Sequence, residues 1–474
     1  MSQTPTQQFS EVLAESVQSR GAVAKPKPLA GVRVSPGSHF ALAALLTFLS
    51  LVLLRTGRDL LALVLIAATW IVIPASLLTD RLYFDGQMLY RSGLTALLSR
   101  LLRGRRPKLT INEVERVEVA TMRTLRRGGR VRYRYRVEIG GKGLDFVFAS
   151  GGKKFRRMII SLLPRIAEEK LDARACELRD HLVDAKELNA SVSQLGVAGD
   201  SILEQTEETA RHRIEKRSTV DPLMQANHDA DRALLLRKVA NDLRVAGRLR
   251  ESAEAFRRAL HLSPHEPWLI YEYARQLRSQ AAAFGNAHLL NRACAALRLA
   301  GMRGANDARL LSRIGESFFE FGRPVWAAKV FNRSVEIDEN GYRAQLGLAE
   351  ISLSEGKLAH VIHHYNDATR VAPDQAAAQM ARREAEYYSR LNDDDEYLSS
   401  ELRRMNWLEG AGRIQQLTAR VSFGALLVAL TGSFLDQIVA GVGWALASSS
   451  IIGWSGALLT KKFLSRRRGM DASV

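Results

Sequence analysis

Hydrophobic positions along this chain change their period three times, and each change marks an element boundary. Residues 40–78 and 421–459 are almost continuously apolar. The first stretch divides at the Arg-Thr-Gly-Arg-Asp motif of 55–59 into 40–54 and 60–78. The second divides at Asp436-Gln437 into 421–435 and 438–459. Runs of roughly 20 apolar residues match the thickness of a bilayer. The pattern therefore predicts two transmembrane helical hairpins, about four spans, of which 40–54 needs flanking residues to reach full length. Gly441, Gly443, Ala445, Ala447, Gly453 and Gly456 give the second hairpin small side chains for close helix approach.

Between 82 and 150 the period shortens to two. Val131, Tyr133, Tyr135, Val137 and Ile139 alternate with Arg132, Arg134, Arg136 and Glu138, as in a strand with one face on a core. Asp85-Gly86, Gly128-Gly129 and Gly140-Gly141 supply turns. Helical spacing returns with Phe155, Met158, Ile159, Leu162, Leu163 and Ile166. A small antiparallel α+β unit is expected over 80–182. Within it, Leu94, Leu97, Leu98, Leu101 and Leu102 interleave with Arg100, Arg103, Arg105 and Arg106, the pattern of a helix lying in a membrane interface.

The third pattern is a repeat. Ile314, Gly322, Phe331 and Ser334 recur 34 positions later as Leu348, Gly356, Tyr365 and Ala368. Val239, Ala240, Leu243, Gly247, Phe256 and Ala259 precede their counterparts by 75, which is one ordinary repeat and one with seven extra residues. The insertion is placed at 281–286. Such a period predicts stacked helix–turn–helix units, here four repeats over 233–375 and a polar closing pair over 376–408.

Charge sharpens this picture. The chain carries 68 Lys+Arg against 50 Asp+Glu, net +18. Residues 80–175 hold 23 Lys+Arg and 10 Asp+Glu, and so contribute +13 of that total. A basic segment beside an apolar one suits anionic headgroups better than nucleic acid. Arg100, Arg103, Arg105, Arg106, Arg130, Arg132, Arg134 and Arg136 are the candidate lipid contacts. A solvated strand face that deters edge pairing is the alternative for the last four, and the two nearby tyrosines face away from them, which disfavours nucleic acid. Lys25, Lys27 and Arg33 before the first hairpin, Arg81 and Arg91 after it, and Lys461 to Arg468 after the second put these flanks in the cytosol, with Arg55 and Arg58 counting the other way. The location expected is a bacterial inner (plasma) membrane, multi-pass, with the folded parts cytosolic. Cys176 and Cys294 stand in no metal or redox spacing and fit a reducing compartment.

The repeat resembles the tetratricopeptide family. Gly247, Gly322 and Gly356 end first helices, Phe256, Phe331 and Tyr365 are second-helix knobs, and Pro264 and Pro373 close repeats. The resemblance implies that first helices line a protein-binding groove, placing Arg237, Asn241, Arg244, Arg309, Arg313, Glu316, Phe319, Arg343, Glu350 and Leu353 in it. Arg237, Asn241, Arg309 and Arg313 are similar to the clamp by which some of these domains hold a peptide carboxylate, although Glu272 stands where a neutral donor is wanted. Residues 81–181 resemble, in element order, bacterial pleckstrin-homology-like domains.

No nucleophile elbow, phosphate loop or zinc-protease helix is present, and no enzyme activity or cofactor is expected. His360, His363, His364 and Asp367 read as a polar helix face rather than a metal site. The fold class expected is mainly α: a tetratricopeptide-like solenoid, a small α+β domain and two membrane hairpins. Its boundaries are a disordered arm at 1–38, hairpins at 39–79 and 417–460, the basic domain at 80–182, a linker at 183–232, repeats at 233–409 and a basic tail at 461–474. The function expected is a membrane-anchored scaffold that recruits a protein partner. An accessory subunit of a transport or export system is the alternative, weakened because ionisable residues sit only at span ends and turns.

Overall fold

The computed structural model describes residues 28–34, 43, 46–47, 49–50, 53–54, 56–103, 107–125, 131–195 and 222–464. Outside them lie the first 27 residues, most of the expected span at 40–54, Arg105, Arg106, Arg130, linker residues 196–221 and the tail from 465.

Strand β1 (Ala30–Arg33) precedes helix α1 (Asp59–Thr79), and β2 (Arg81–Phe84) and β3 (Met88–Ser92) follow it. Helix α2 (Leu94–Arg103) then leads to β4 (Lys108–Thr110). These four strands form an antiparallel sheet in chain order. A second antiparallel sheet joins β5 (Arg116–Leu125), β6 (Val131–Gly141) and β7 (Leu144–Ala149), and α3 (Gly152–Leu162) closes the pair. Leu82, Phe84, Leu89 and Leu109 of one sheet and Val137, Ile139 and Phe148 of the other meet Phe155, Met158, Ile159 and Leu162 of α3 in one core.

Strand β1 corrects the sequence expectation of a disordered arm through residue 38. Ala30 pairs with Phe84 and Arg33 with Arg81, and Ala30 and Val32 are buried. Four residues between Pro28 and Pro36 are too short a run for periodicity to reveal. The first apolar region is thus an insertion between two neighbouring strands.

Helices α4 (Ala173–His181) and α5 (Ala185–Gln194) lead to the repeats. The expected linker is partly structural: Leu188 and Val192 of α5, one helical turn apart, bury in the core of repeat one with Leu236, Val239 and Phe256. Repeat one pairs α6 (Pro222–Val245) with α7 (Leu249–Leu262), and repeat two pairs α8 (Pro267–Phe284) with α9 (Ala287–Arg303). Repeat three pairs α10 (Ala308–Glu320) with α11 (Pro324–Ile337), and repeat four pairs α12 (Tyr342–Ser354) with α13 (Leu358–Arg370). The extra length of repeat two lies in its helices, which run 18 and 17 residues against 13 and 14 in repeat three.

The repeated residues have identical roles. Gly247, Gly322 and Gly356 adopt φ of +81, +72 and +74°. Each follows a first helix whose last carbonyls receive the next two amides, as Phe319 and Phe318 do from Gly322 and Arg323 at 3.0 and 2.9 Å. This left-handed cap is where glycine avoids a Cβ penalty. Phe331, 1% exposed, packs against Gly315 and Gly347, where any Cβ would meet its ring within 3 Å.

Helix α14 (Gln375–Asp393) begins the closing pair, and its partner α15 (Asp395–Leu435) runs 41 residues without a break. The sequence separates closing helix from membrane hairpin at 409–417, but Gly410 and Gly412 sit inside one helix. Helix α16 (Gln437–Leu464) returns beside it. Ala429 faces Gly443 and Ala440 faces Gly432 with no room for a Cβ, and Ser422 hydrogen-bonds Ser450 at 2.8 Å. Among the described residues, Asp59–Thr79, Asp395–Leu435 and Gln437–Lys461 are long and apolar enough to cross a membrane. Leu60, Ile71, Phe434 and Ile438 on these helices point outward rather than into a protein core.

Candidate functional site

Helices α6, α8, α10, α12 and α14 line the inner face of the solenoid, as the repeat register requires. That face encloses the chain's own residues 167–181, the short turn Glu168–Lys170 followed by α4. Asp172 starts α4 by accepting the Ala175 amide at 2.6 Å, and its other oxygen accepts the Val119 amide at 2.9 Å. Burial nevertheless pushes the Asp172 carboxyl up to about 6.

The expected groove residues divide into two groups. Arg309 and Arg313 donate to Glu168 at 2.6 and 2.7 Å, and Arg343 donates to the backbone oxygens of Glu168 and Leu171 at 2.7 and 2.8 Å. Arg244, 6% exposed, pairs with Glu177 at 3.0 Å, and Arg275 joins the same carboxylate at 2.5 Å. Arg237 and Asn241 donate to Glu272 at 2.7 and 2.6 Å. Every arginine of the clamp-like set therefore already holds a carboxylate of this chain. Glu272, an acid where a carboxylate clamp needs a neutral donor, fills one half, and Glu168 fills the other. Burial alone would raise Glu168 and Glu177. The arginines outweigh it, Arg313 and Arg309 for Glu168 and Arg244 and Arg275 for Glu177, and hold each at about 2.

Glu316, Phe319, Glu350 and Leu353 instead line an open cavity of about 760 Å3, between the inner helices of repeats three and four and the edge of β5. Glu316 itself is held by Arg343 at 2.6 Å. Leu353 is 39% exposed, Phe319 is half-buried, and burial and the Glu316 charge raise the Glu350 carboxyl.

Further ties run the length of the interface. His181 bonds Asp242 at 3.0 Å, Arg174 pairs with Glu320 at 2.8 Å, Lys170 pairs with Asp374, and Arg383 pairs with Glu115. The Tyr135 hydroxyl donates to the Val245 carbonyl at 2.9 Å, and the Val131 amide donates to that of Gly247 at 3.1 Å. Sequence reasoning missed Glu168, Glu177, Arg174, Arg275 and Arg383 as interface residues. The available signal was charge: 168–180 holds five acids in a segment that is otherwise strongly basic.

Of the candidate lipid contacts, Arg100 is exposed on α2, near Leu97 and Leu101, which are 58% and 86% exposed. Arg132, Arg134 and Arg136 are exposed on one face of β6, while Arg105, Arg106 and Arg130 lie outside the described residues. Arg103 ends α2. His364 bonds Gln345 at 3.0 Å and His363 pairs with Asp367 at 3.3 Å. The two cysteines are free and buried, and Arg313 donates to the Cys176 sulfur at 2.9 Å.

No protein-family model matches the chain, and no curated protein matches it. Among solved structures it is similar to MamA, at 15% identity over 36% of this chain and 95% of MamA, with a TM-score of 0.26. It is similar to YrrB, described as a TPR protein with an unusual peptide-binding site, at 15% identity over 42% of this chain and all of YrrB, TM-score 0.26. A tetratricopeptide repeat protein from Parabacteroides merdae is similar at 14% identity over 60% of this chain and all of that one, TM-score 0.29. The helical repeats of this chain are shown by its own helix pairs and their 34-residue period.

Proposed function

We propose that this chain is a membrane-anchored scaffold that recruits a protein partner at the cytosolic membrane face. Its solenoid is held in a fixed curvature by its own α+β unit, and the partner enters the cavity that this unit leaves open at repeats three and four. The observation that carries the reading is the division of the groove: the arginines are spent on Glu168, Glu177 and Glu272, while Phe319, Glu350 and Leu353 remain accessible. Two apolar side chains beside an acid that has no ion-pair partner among the described residues suit a peptide with an apolar anchor and a basic residue, rather than the C-terminal carboxylate of the clamp reading. A four-strand sheet, a three-strand sheet and a closing helix support a pleckstrin-homology-like fold for the enclosed unit. The outward apolar faces of α1, α15 and α16 support anchoring, and the basic flanks support cytosolic folded parts in a bacterial inner membrane.

The test is photo-cross-linking in native membranes, with a benzophenone side chain at Phe319 or Leu353. The control probe is Val325, which is 63% exposed on outer helix α11. Adducts to one protein from Phe319 and Leu353, absent from Val325 and lost with Glu350→Lys, are expected. Adducts equal at all three positions would overturn the cavity as the recruiting surface.

A further inference from the structure

A second cavity, of about 280 Å3, lies in the same interface nearer repeat one, between β5 and β6 and the ends of α6, α8 and α10. Five guanidiniums reach it, those of Arg123, Arg174, Arg244, Arg275 and Arg278, against two carboxylates, Glu177 and Glu320. Five positive charges less two negative leave +3.

Both carboxylates are already engaged. Glu177 holds Arg244 at 3.0 Å and Arg275 at 2.5 Å, and Glu320 holds Arg174 at 2.8 Å and Arg275 at 3.5 Å. Arg278 has no carboxylate partner among the described residues. Its guanidinium carbon lies 5.5 Å from the centre of the Phe321 ring, and its Nε is buried without an acceptor. The Nε of Arg244 is buried and unaccepted in the same way. A guanidinium does not relieve such a cost by losing its proton, and an unmet buried donor is unfavourable. The cavity wall therefore carries more guanidinium charge than the carboxylates of the described residues neutralise.

Guanidinium groups converge here from three helices and a strand, so the acceptors must point in several directions. A tetrahedral phosphate presents acceptor oxygens in more directions than a planar carboxylate does. We propose that this cavity binds a phosphate-bearing small molecule, either free in solution or the headgroup of a lipid. The proposal stands apart from partner recruitment: Arg174 and Glu320 line both cavities, but Arg123, Arg244, Arg275 and Arg278 line only this one, and Phe319, Glu350 and Leu353 only the other.

The experiment uses the full chain in phosphatidylcholine nanodiscs. One arm titrates inorganic pyrophosphate by calorimetry. The other replaces part of the phosphatidylcholine by phosphatidic acid and reads the unfolding midpoint. Saturable binding in the first arm identifies a soluble anion, and stabilisation in the second arm alone identifies a headgroup. In either case Arg278→Met is expected to weaken the effect about tenfold, the loss of one charge-assisted hydrogen bond. Ser279→Asp, which places a negative charge in the cavity wall, is expected to abolish it. Arg370→Gln, on the outer face of repeat four, removes an equal charge elsewhere and leaves it unchanged. No effect in either arm, an effect that survives both cavity variants, or one that Arg370→Gln reduces equally would overturn the proposal.

Discussion

At the scale of single residues, the contrast between Gly247 and Gly322 isolates what docking adds to a repeat. Both end a first helix with positive φ. A Cβ on Gly322 meets nothing within 4 Å, whereas one on Gly247 meets the Val131 carbonyl oxygen at 1.8 Å. Gly322→Ala should therefore cost only backbone strain, about 1–2 kcal/mol. Gly247→Ala should cost clearly more and also separate β6 from repeat one, which differential scanning calorimetry with protease protection of 131–141 would detect. Glu177 offers a test with a sign. Its folded value of about 2 lies below the unfolded carboxylate value of about 4.3. Its contribution is thus fully present above pH ~4 and is lost as pH falls through about 2. Glu177→Gln should destabilise the native protein by about 3 kcal/mol at pH 7, because Arg244 and Arg275 lose a buried partner. The gap between variant and native midpoints should close as the pH falls from about 4 to 2. A gap of constant size across that range would mean the ion pair is not what holds α4.

At the scale of elements, the sequence was legible wherever one pattern ran long enough. The 34-residue echo marks the caps and knobs of repeats three and four and the offset of 75 those of repeat one, and strict alternation marks β6, but neither reaches the cap of repeat two at Gly285. It failed at β1, four residues long, and at α5, whose two apolar positions are diluted by polar ones. It also placed a boundary inside α15, because a change of composition from polar to apolar does not interrupt the backbone ladder of a helix. The groove was legible in its lining and illegible in its occupant: residue register says which way Arg309 and Arg313 point, but not that Glu168, some 140 positions earlier, arrives there. The continuity of α15 carries its own prediction. Spin labels at Leu402 and Val428, 26 residues apart on one helix, should give a single narrow distance near ~39 Å, from a rise of 1.5 Å per residue. Ala411→Pro removes a ladder bond between them and should broaden that distribution. An already broad native distribution would mean that solenoid and hairpin are not joined by one rigid rod.

At the scale of the whole molecule, sheet topology constrains the proposed membrane anchoring. Arg33 and Arg81 are direct partners on β1 and β2, so residues 34–80 leave and re-enter the α+β unit at one place. If α1 crosses a bilayer, the residues before it must cross back, and the number of crossings in the insertion is even. The described residues before α1 agree with a reversal there. Leu53 and Leu54 are helical, and the amides of Arg58 and Gly57 bond their carbonyls at 3.0 and 3.2 Å, with Gly57 at φ +75°. Thr56 at this turn and Asp436 at the turn of the second hairpin should then lie on the face of the membrane opposite Gln87 and Lys357. Single cysteines at these four positions give the readout, since both native thiols are buried. A membrane-impermeant maleimide added outside intact cells should modify Thr56→Cys and Asp436→Cys, and should reach Gln87→Cys and Lys357→Cys only after the membrane is opened. Labelling of Thr56→Cys and Gln87→Cys from the same side would show that α1 lies along the surface. In the proposed scaffold, α15 and α16 alone would then be the anchor, and the insertion between β1 and β2 would be an arm of the folded unit rather than a second anchor.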